Sequence, residues 1–139
     1  VDDATIVLFG IDDRGYAVAK ALQDILNPIF DDNLRLFQLR LKGTNIDPDL
    51  EDIKLQESHY PVIVDDVIFS GQTMFQALKI ISNHMKPSEI HTAVLVDRGH
   101  RKFPIKAEFY GMELPTKLDE HVSVVVENKR LQNVTLTKY

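Results

Sequence analysis

The sequence predicts an α/β fold, a single domain built on a parallel-centred twisted sheet with helices on both faces. Three observations carry this expectation. Short aliphatic runs, Thr5-Ile6-Val7-Leu8-Phe9, Val62-Ile63-Val64 and Thr92-Ala93-Val94-Leu95-Val96, have the length and composition of strands buried on both faces. Stretches with apolar residues at helical spacing separate them. Strand–helix–strand order needs crossover connections, which are right-handed and give parallel sheets. One domain over residues 1–139 suits the length, and 44% hydrophobic with 27% charged residues is ordinary for a globular chain.

Taken in order, the first run ends at Gly10. Asp12 or Asp13 then offers an N-cap, and Gly15 eases a tight entry into a helix whose stripe is Val18, Leu22 and Ile25. Asn27-Pro28 closes that helix. Leu34, Leu36, Leu39 and Leu41 alternate with polar residues, as a half-exposed strand does, with a slip near Phe37. Residues 42–60 hold Gly43, Pro48 and many polar side chains and read as a long loop. Pro61 opens the second buried strand. A helix follows from Thr73 to about Met85, with Met74, Leu78, Ile81 and Met85 facing inward and Lys86-Pro87 as its stop. After the third buried strand, residues 107–110 and 122–126 read as further strands, 133–137 as a last edge strand, and Asp119-Glu120-His121 as an exposed turn.

Composition removes several classes of function. The chain has no cysteine, so disulfides, thiolate metal sites and cysteine nucleophiles are excluded. The cytoplasm, where thiols stay reduced, is the expected location. No apolar run approaches the roughly 20 residues of a membrane span, and no secretory signal is visible. The formal net charge of −5 weighs against a generally basic nucleic-acid binder. His59, His84, His91, His100 and His121 show no paired metal-ligand spacing, and neither a dinucleotide glycine pattern nor a Walker motif occurs.

Ligands of open parallel sheets bind at the carboxyl ends of the strands. That rule selects three loops: residues 11–15, 65–73 and 97–101. In the second, Asp65 and Asp66 end a buried strand, and Ser70-Gly71-Gln72-Thr73 turns into a helix. A helix N-terminus presents unpaired N–H groups and partial positive charge, so an anion is favoured there. Gly71 admits close backbone approach, and Ser70 and Thr73 add hydroxyls. Two carboxylates would repel the same anion, but they suit ribose hydroxyls or a bound Mg²⁺. A lone acid pair after a strand is weak evidence. The ordered string of apolar strand, acid pair, small-residue turn and helix is strong evidence for a sugar-phosphate site.

Val62 to Thr73 resembles the PRPP-binding signature of type I phosphoribosyltransferases. Leu95-Val96-Asp97-Arg98-Gly99-His100-Arg101-Lys102-Phe103-Pro104-Ile105 is similar to a segment of the pyrimidine operon attenuator/uracil phosphoribosyltransferase group, and Gly111-Met112-Glu113-Leu114-Pro115-Thr116 continues the likeness. The resemblance implies a type I phosphoribosyltransferase-like domain with a small hood that includes the segment near 111–114. It implies transfer of ribose 5-phosphate from PRPP to a pyrimidine base, uracil, with Mg²⁺ as cofactor and release of pyrophosphate. Asp65, Asp66 and Arg14 would be the catalytic set, with Asp65 and Asp66 also reaching the metal indirectly. Val67, Ile68, Phe69, Ser70, Gly71, Gln72 and Thr73 would bind the 5-phosphate. Asp13, Arg14 and Gly15 would form the pyrophosphate loop, and Val96, Asp97 and Arg98 the base pocket. A homo-oligomer is expected, and no membrane partner.

The likeness has departures. Two acids, Asp12 and Asp13, stand where the family has neutral or basic residues, and the family's mobile loop after the second strand is short here, with Arg40 or Lys42 as the basic residue reaching the site. These predict weak turnover and leave open a regulatory protein that binds a nucleotide or PRPP. Attenuator members of the group bind RNA on a basic surface. Here the basic residues are scattered except for Arg98, His100, Arg101 and Lys102, so little RNA binding is expected. A signalling receiver domain also places Val-Asp-Asp after a strand, but its acid pair ends the first strand rather than the third.

Overall fold

The computed structural model describes residues 5–31, 33–41, 50, 53–115 and 120–138. In chain order they form β1 (Thr5–Ile11), α1 (Asp12–Leu26), β2 (Leu34–Leu39), β3 (His59–Ile68), α2 (Gln72–Met85), β4 (His91–Asp97), β5 (Phe109–Glu113), β6 (Glu120–Glu127) and β7 (Arg130–Lys138). The first five strands make one sheet in the order β2-β1-β3-β4-β5. Every junction in it is parallel.

Strand alternation sorts the apolar runs onto two faces. Val7, Phe9 and Ile11 of β1 join Met74, Ala77 and Ile81 of α2 in one core. Leu8 joins Val18 and Ala19 of α1, with Val62 and Val64 of β3, in the other. Because both faces are covered, the inner strands need apolar residues at every position, which is why they read as unbroken runs.

On α1 the inward stripe runs through Val18, Leu22 and Leu26, while Ile25, expected in it, is 66% exposed. Gly15 lets this helix lie close to the sheet: a Cβ there would stand 2.6 Å from the Val64 carbonyl oxygen. The stripe of α2 is as expected, with Met74, Ile81 and Met85 buried and Leu78 partly so. Lys86 ends α2 in the left-handed region at φ 45°. The residue before a proline is disfavoured in the right-handed helical region, which explains the stop.

Three expectations are corrected. The fifth strand lies later than residues 107–110, because Ala107 is buried in the α2-side core and Thr92 Oγ1 accepts the Glu108 N–H, so pairing with β4 begins at Phe109. Residues 111–113 are consequently sheet edge and not hood, and the Leu114 N–H donates to the Asp97 carbonyl at 2.8 Å. The small unit outside the sheet is the antiparallel β6–β7 hairpin, in which the expected edge strand 133–137 finds its partner. Glu120 and His121, expected in a turn, open β6, and Asp119 lies outside the described residues. Leu131 packs the hairpin against the α1-side core. Among the described residues no helix is long and apolar enough to cross a membrane.

At the amino end of the sheet, His91 is bracketed by Glu108 Oε2 and Glu89 Oε2, each 3.0 Å from a ring nitrogen. Its ring also stacks on Tyr60 at 4.0 Å. Burial favours the neutral ring, but the two carboxylates outweigh it and raise the histidine pKa. A raised folded-state pKa gives stability that is complete below the unfolded value of about 6.5 and is lost as pH rises through the folded value. His91→Asn should therefore lower Tm more at about pH 5.5 than at about pH 8.5. The difference should be small and should shrink in salt, because both glutamates are solvent-exposed. Thermal melts at the two pH values, at low and high salt, check it.

Candidate functional site

A parallel sheet brings the carboxyl ends of its strands to one edge, and β1, β2, β3 and β4 deliver their loops there. The strand at the centre of the site, β3, does not stop at Val64. It pairs with β4 through the acid pair, Asp65 opposite Val94 and Ile68 opposite Asp97. Asp65 is therefore held inside the sheet at 8% exposure, while Asp66 is half-buried. Asp65 Oδ1 accepts the Asp66 N–H at 2.8 Å. Burial pushes the Asp65 carboxyl well above the usual range, and the negative charges of Asp66 and then Asp12 push it further.

The turn after β3 behaves as the sequence suggests. Gly71 caps α2 in the left-handed conformation, φ 87°, which glycine enters without steric cost. Ser70 Oγ accepts the Gln72 N–H at 3.2 Å. At this turn lies a hollow of about 110 Å³ lined by Asp65 and by residues 67–74. Valine at Gly71 would be strained at that φ, and its Cβ would lie 3.3 Å from Ile105 Cβ. Gly71→Val thus perturbs the neighbouring loop as well as the hollow.

Next to it, and sharing Asp65, Val67 and Thr73, is a larger cavity of about 560 Å³. Asp12, Asp13, Arg14, Gln38 and Arg40 form its other wall. The structure overturns the capping expectation for the two acids: α1 has no side-chain cap, and Ile11 occupies the cap position. Asp12 takes φ 50°, which aspartate tolerates better than most residues, and its Oδ1 accepts the Leu41 N–H at 3.1 Å. Asp13 Oδ1 accepts from Gln38 Nε2 at 2.9 Å. Both carboxylates are tied to the end of β2 and face the cavity. Gly15 lies behind the turn, against β3. Arg14 Nε donates to the Val124 carbonyl of β6 at 3.3 Å, so the hairpin holds one end of this guanidinium. Lys42 lies outside the described residues.

Near the end of β4, Val96, expected in the base pocket, is fully buried and offers no surface to a base. Asp97 Oδ1 accepts the Gly99 N–H and Oδ2 pairs with Arg101 Nη2 at 2.8 Å. Arg98, 7% exposed, lies 4.3 Å from the centre of the Phe69 ring and donates from Nη2 to the Glu120 carbonyl. His100 meets the edge of the same ring. The structure thus brings 12–14, 65–73 and Arg40 around one pair of cavities. It places Asp97 and Arg98 alongside, held by internal contacts.

Sequence reading missed Gln38, which bonds Asp13, Arg40 and Lys129 at the cavity rim. Its polarity in an alternating strand looked like plain solvent exposure. The signal became usable only once β2 was known to lie beside β1, which sets Gln38 opposite Gly10 at the shared carboxyl edge.

A five-stranded parallel sheet with an acid pair and a small-residue turn on its central strand is the architecture of the type I phosphoribosyltransferases. The chain belongs to the phosphoribosyl transferase domain family, whose model matches residues 2–129. It is 35% identical to bifunctional protein PyrR 1 of Lactiplantibacillus plantarum, with 88% of this chain and 74% of that one aligned. Bifunctional protein PyrR of Staphylococcus epidermidis is 36% identical over 88% of this chain and 75% of its own. Hypoxanthine phosphoribosyltransferase from Trypanosoma cruzi superposes with a TM-score of 0.66 at 18% identity, over 81% of this chain. The chain spans only 58% of that enzyme, and the likeness shows the fold alone. The relatives are named as bifunctional, so the expectation of little RNA binding gains no support from them.

Asp65 makes a testable demand on stability. A carboxyl whose folded pKa is raised contributes stability that is present below the unfolded value, about 3.9, and lost as pH rises through the folded one. Each unit of such a shift is worth about 1.4 kcal/mol. Asn does not ionise and keeps an acceptor for the Asp66 N–H. Asp65→Asn should therefore raise Tm by several degrees at about pH 7.5, with the gain vanishing towards about pH 4. A lower Tm at neutral pH would show that the carboxylate is held by contacts that stabilise the fold.

Proposed function

We propose that the chain transfers ribose 5-phosphate from PRPP to a pyrimidine base, uracil, and releases pyrophosphate. The observation that carries this reading is the junction of the two cavities at Asp65, Val67 and Thr73. A turn suited to an anion thus adjoins an acid pair suited to ribose hydroxyls.

In this reading the residues divide the work. Val67, Ile68, Phe69, Ser70, Gly71, Gln72 and Thr73 wrap the 5-phosphate, which the start of α2 favours through its N–H groups and dipole. Asp65 and Asp66 accept hydrogen bonds from the ribose 2- and 3-hydroxyls. As the C1–O bond breaks, positive charge grows on the ring, and the same carboxylates stabilise it. Hydroxyl donors in turn relieve the buried Asp65. Arg14, with the turn through Asp13 and Gly15, holds the departing pyrophosphate. Asp97 and Arg98 border the base.

No group of three histidine or acidic residues able to hold a metal occurs among the described residues. Asp65 and Asp66 line the larger cavity as oxygen donors, and such a pair fits an ion such as Mg²⁺ carried on substrate phosphates and water, which they would reach indirectly. When bound, it supplies neutralisation of the pyrophosphate charge.

The acid wall sets the expected rate. Two unit charges about 4 Å apart interact by roughly 4 kcal/mol at an effective dielectric of 20. Even half of that, directed at pyrophosphate, slows the reaction more than tenfold. Weak transfer follows, and Asp13→Thr should raise kcat/KM about tenfold. Pyrophosphate release with PRPP, Mg²⁺ and a panel of bases tests both points. Brisk native turnover that Asp13→Thr leaves unchanged would defeat the repulsion argument, and release with no base in the panel would defeat the transferase.

The same wall favours a second reading, a protein that holds UMP or PRPP to regulate pyrimidine metabolism and turns neither over. Tight UMP binding without pyrophosphate release supports it. Salt-sensitive binding of a pyrimidine-operon hairpin at physiological ionic strength would extend it to RNA and overturn the low-RNA expectation.

A further inference from the structure

Arg101 lies in the one basic cluster of the chain, where a role in contacting a ligand or nucleic acid is the obvious expectation. Its geometry says otherwise. Nε donates to the Ile105 carbonyl at 2.9 Å, closing its own loop. Nη2 pairs with Asp97 Oδ2 at 2.8 Å, at the end of β4. Nη1 donates to the Gly99 carbonyl at 3.3 Å and to the Phe69 carbonyl, in the turn before α2, at 2.9 Å. The side chain is only 22% exposed. A planar fork of fixed donors can satisfy this many acceptors in divergent directions, whereas a lysine ammonium has no such fork.

The two loops meet along their backbones as well. Lys102 N and Phe103 N both donate to the Ser70 carbonyl, at 2.9 and 3.0 Å, and Arg98 N donates to the Ile68 carbonyl at 3.0 Å. Gly71 itself faces Ile105, Phe103 and the Arg101 side chain. These backbone links, and the bond from Arg101 to the Phe69 carbonyl, all land on residues 68–70.

The geometry assigns Arg101 the role of a positioning residue that joins the loop at 98–105 to the anion-binding turn at 69–73, so that filling the phosphate end orders the base end. This rests on the proposed assignment of those two segments to phosphate and base. It differs from that proposal in making Arg101 act through other residues, with no ligand contact of its own, and in making Asp97 the clamp on Arg101. A coupling of this kind changes the affinity of one site when the other is filled, commonly by about 5- to 150-fold.

The test uses the full chain with ribose 5-phosphate and uracil, which do not react together. Uracil affinity is measured by calorimetry with and without saturating ribose 5-phosphate. Hydrogen exchange is followed at 69–75 and 98–105 with ribose 5-phosphate alone. In the native chain, ribose 5-phosphate should protect both segments and tighten uracil binding at least fivefold. In Arg101→Lys, ribose 5-phosphate affinity should stay within about threefold and 69–75 should still be protected, while protection of 98–105 and the uracil enhancement fall away. Asp97→Asn, a milder change if the lysine variant folds poorly, should weaken the transmission in the same direction. Undiminished transmission in both variants overturns the role. Loss of ribose 5-phosphate binding itself in Arg101→Lys also overturns it, because that marks a direct phosphate contact. If the native chain ignores uracil, the proposed base specificity fails, yet exchange with ribose 5-phosphate alone still decides the role of Arg101. If ribose 5-phosphate has no effect on the native chain, both fail.

Discussion

The parallel pairing of β3 between β1 and β4 is the constraint on which the rest of this molecule depends. It places a largely buried strand at the centre of the sheet and aims its end at the edge where β1, β2 and β4 also finish. Pairing continues past the apolar run into Asp65, so a carboxyl group is carried into a position that water barely reaches. The same pairing sets where α2 must begin, and with it the hollow around Ser70 and Gly71. A sheet buried on both faces leaves little freedom to move these parts independently.

Charge is distributed unevenly around the resulting cavities. Asp12, Asp13, Asp65 and Asp66 face the larger one, with Arg14 and Arg40 against them. Asp12 and Asp13 are not loose acids, since each is bonded to the end of β2. These bonds lock the turn at the start of α1 to its neighbouring strand, and they also fix negative charge on the wall of the cavity. Stability of that turn and tolerance of a polyanion there pull in opposite directions. The β6–β7 hairpin adds to the rim from outside the sheet, through the Val124 carbonyl on Arg14 and Lys129 on Gln38. The site is thus finished by a part of the chain more than a hundred residues from its first loop.

Strand and helix identities were legible because their causes are local. Unbroken apolar runs marked β1, β3 and β4, and helical spacing marked α2 down to the stop at Lys86-Pro87. The string from Val62 to Thr73 showed its chemistry for the same reason, since strand, acids, turn and helix are contiguous. Where contacts were distant, local reading failed. Residues 111–114 carried no sign that they would pair with β4, and Ile25 matched the helical period yet lies outside the core. Asp12 and Asp13 looked like caps, because a cap is the nearest use for an acid before a helix. Their partners are Gln38 of β2 and Leu41 just beyond it, both distant in the chain.

The sequence by itself therefore determined the fold class, the family and the segments that meet at the sheet edge, all of which depend on short-range pattern and composition. Only the tertiary structure decided what each polar side chain bonds to: that Asp65 is buried against two other acids, that Gln38 joins the cavity wall, and that Arg101 and Asp97 are spent on each other and on the turn before α2. The physical reason is that a hydrogen bond or a pKa depends on distances of a few ångströms between residues far apart in the chain. Those distances are set by sheet order and register, and no local stretch of sequence contains them.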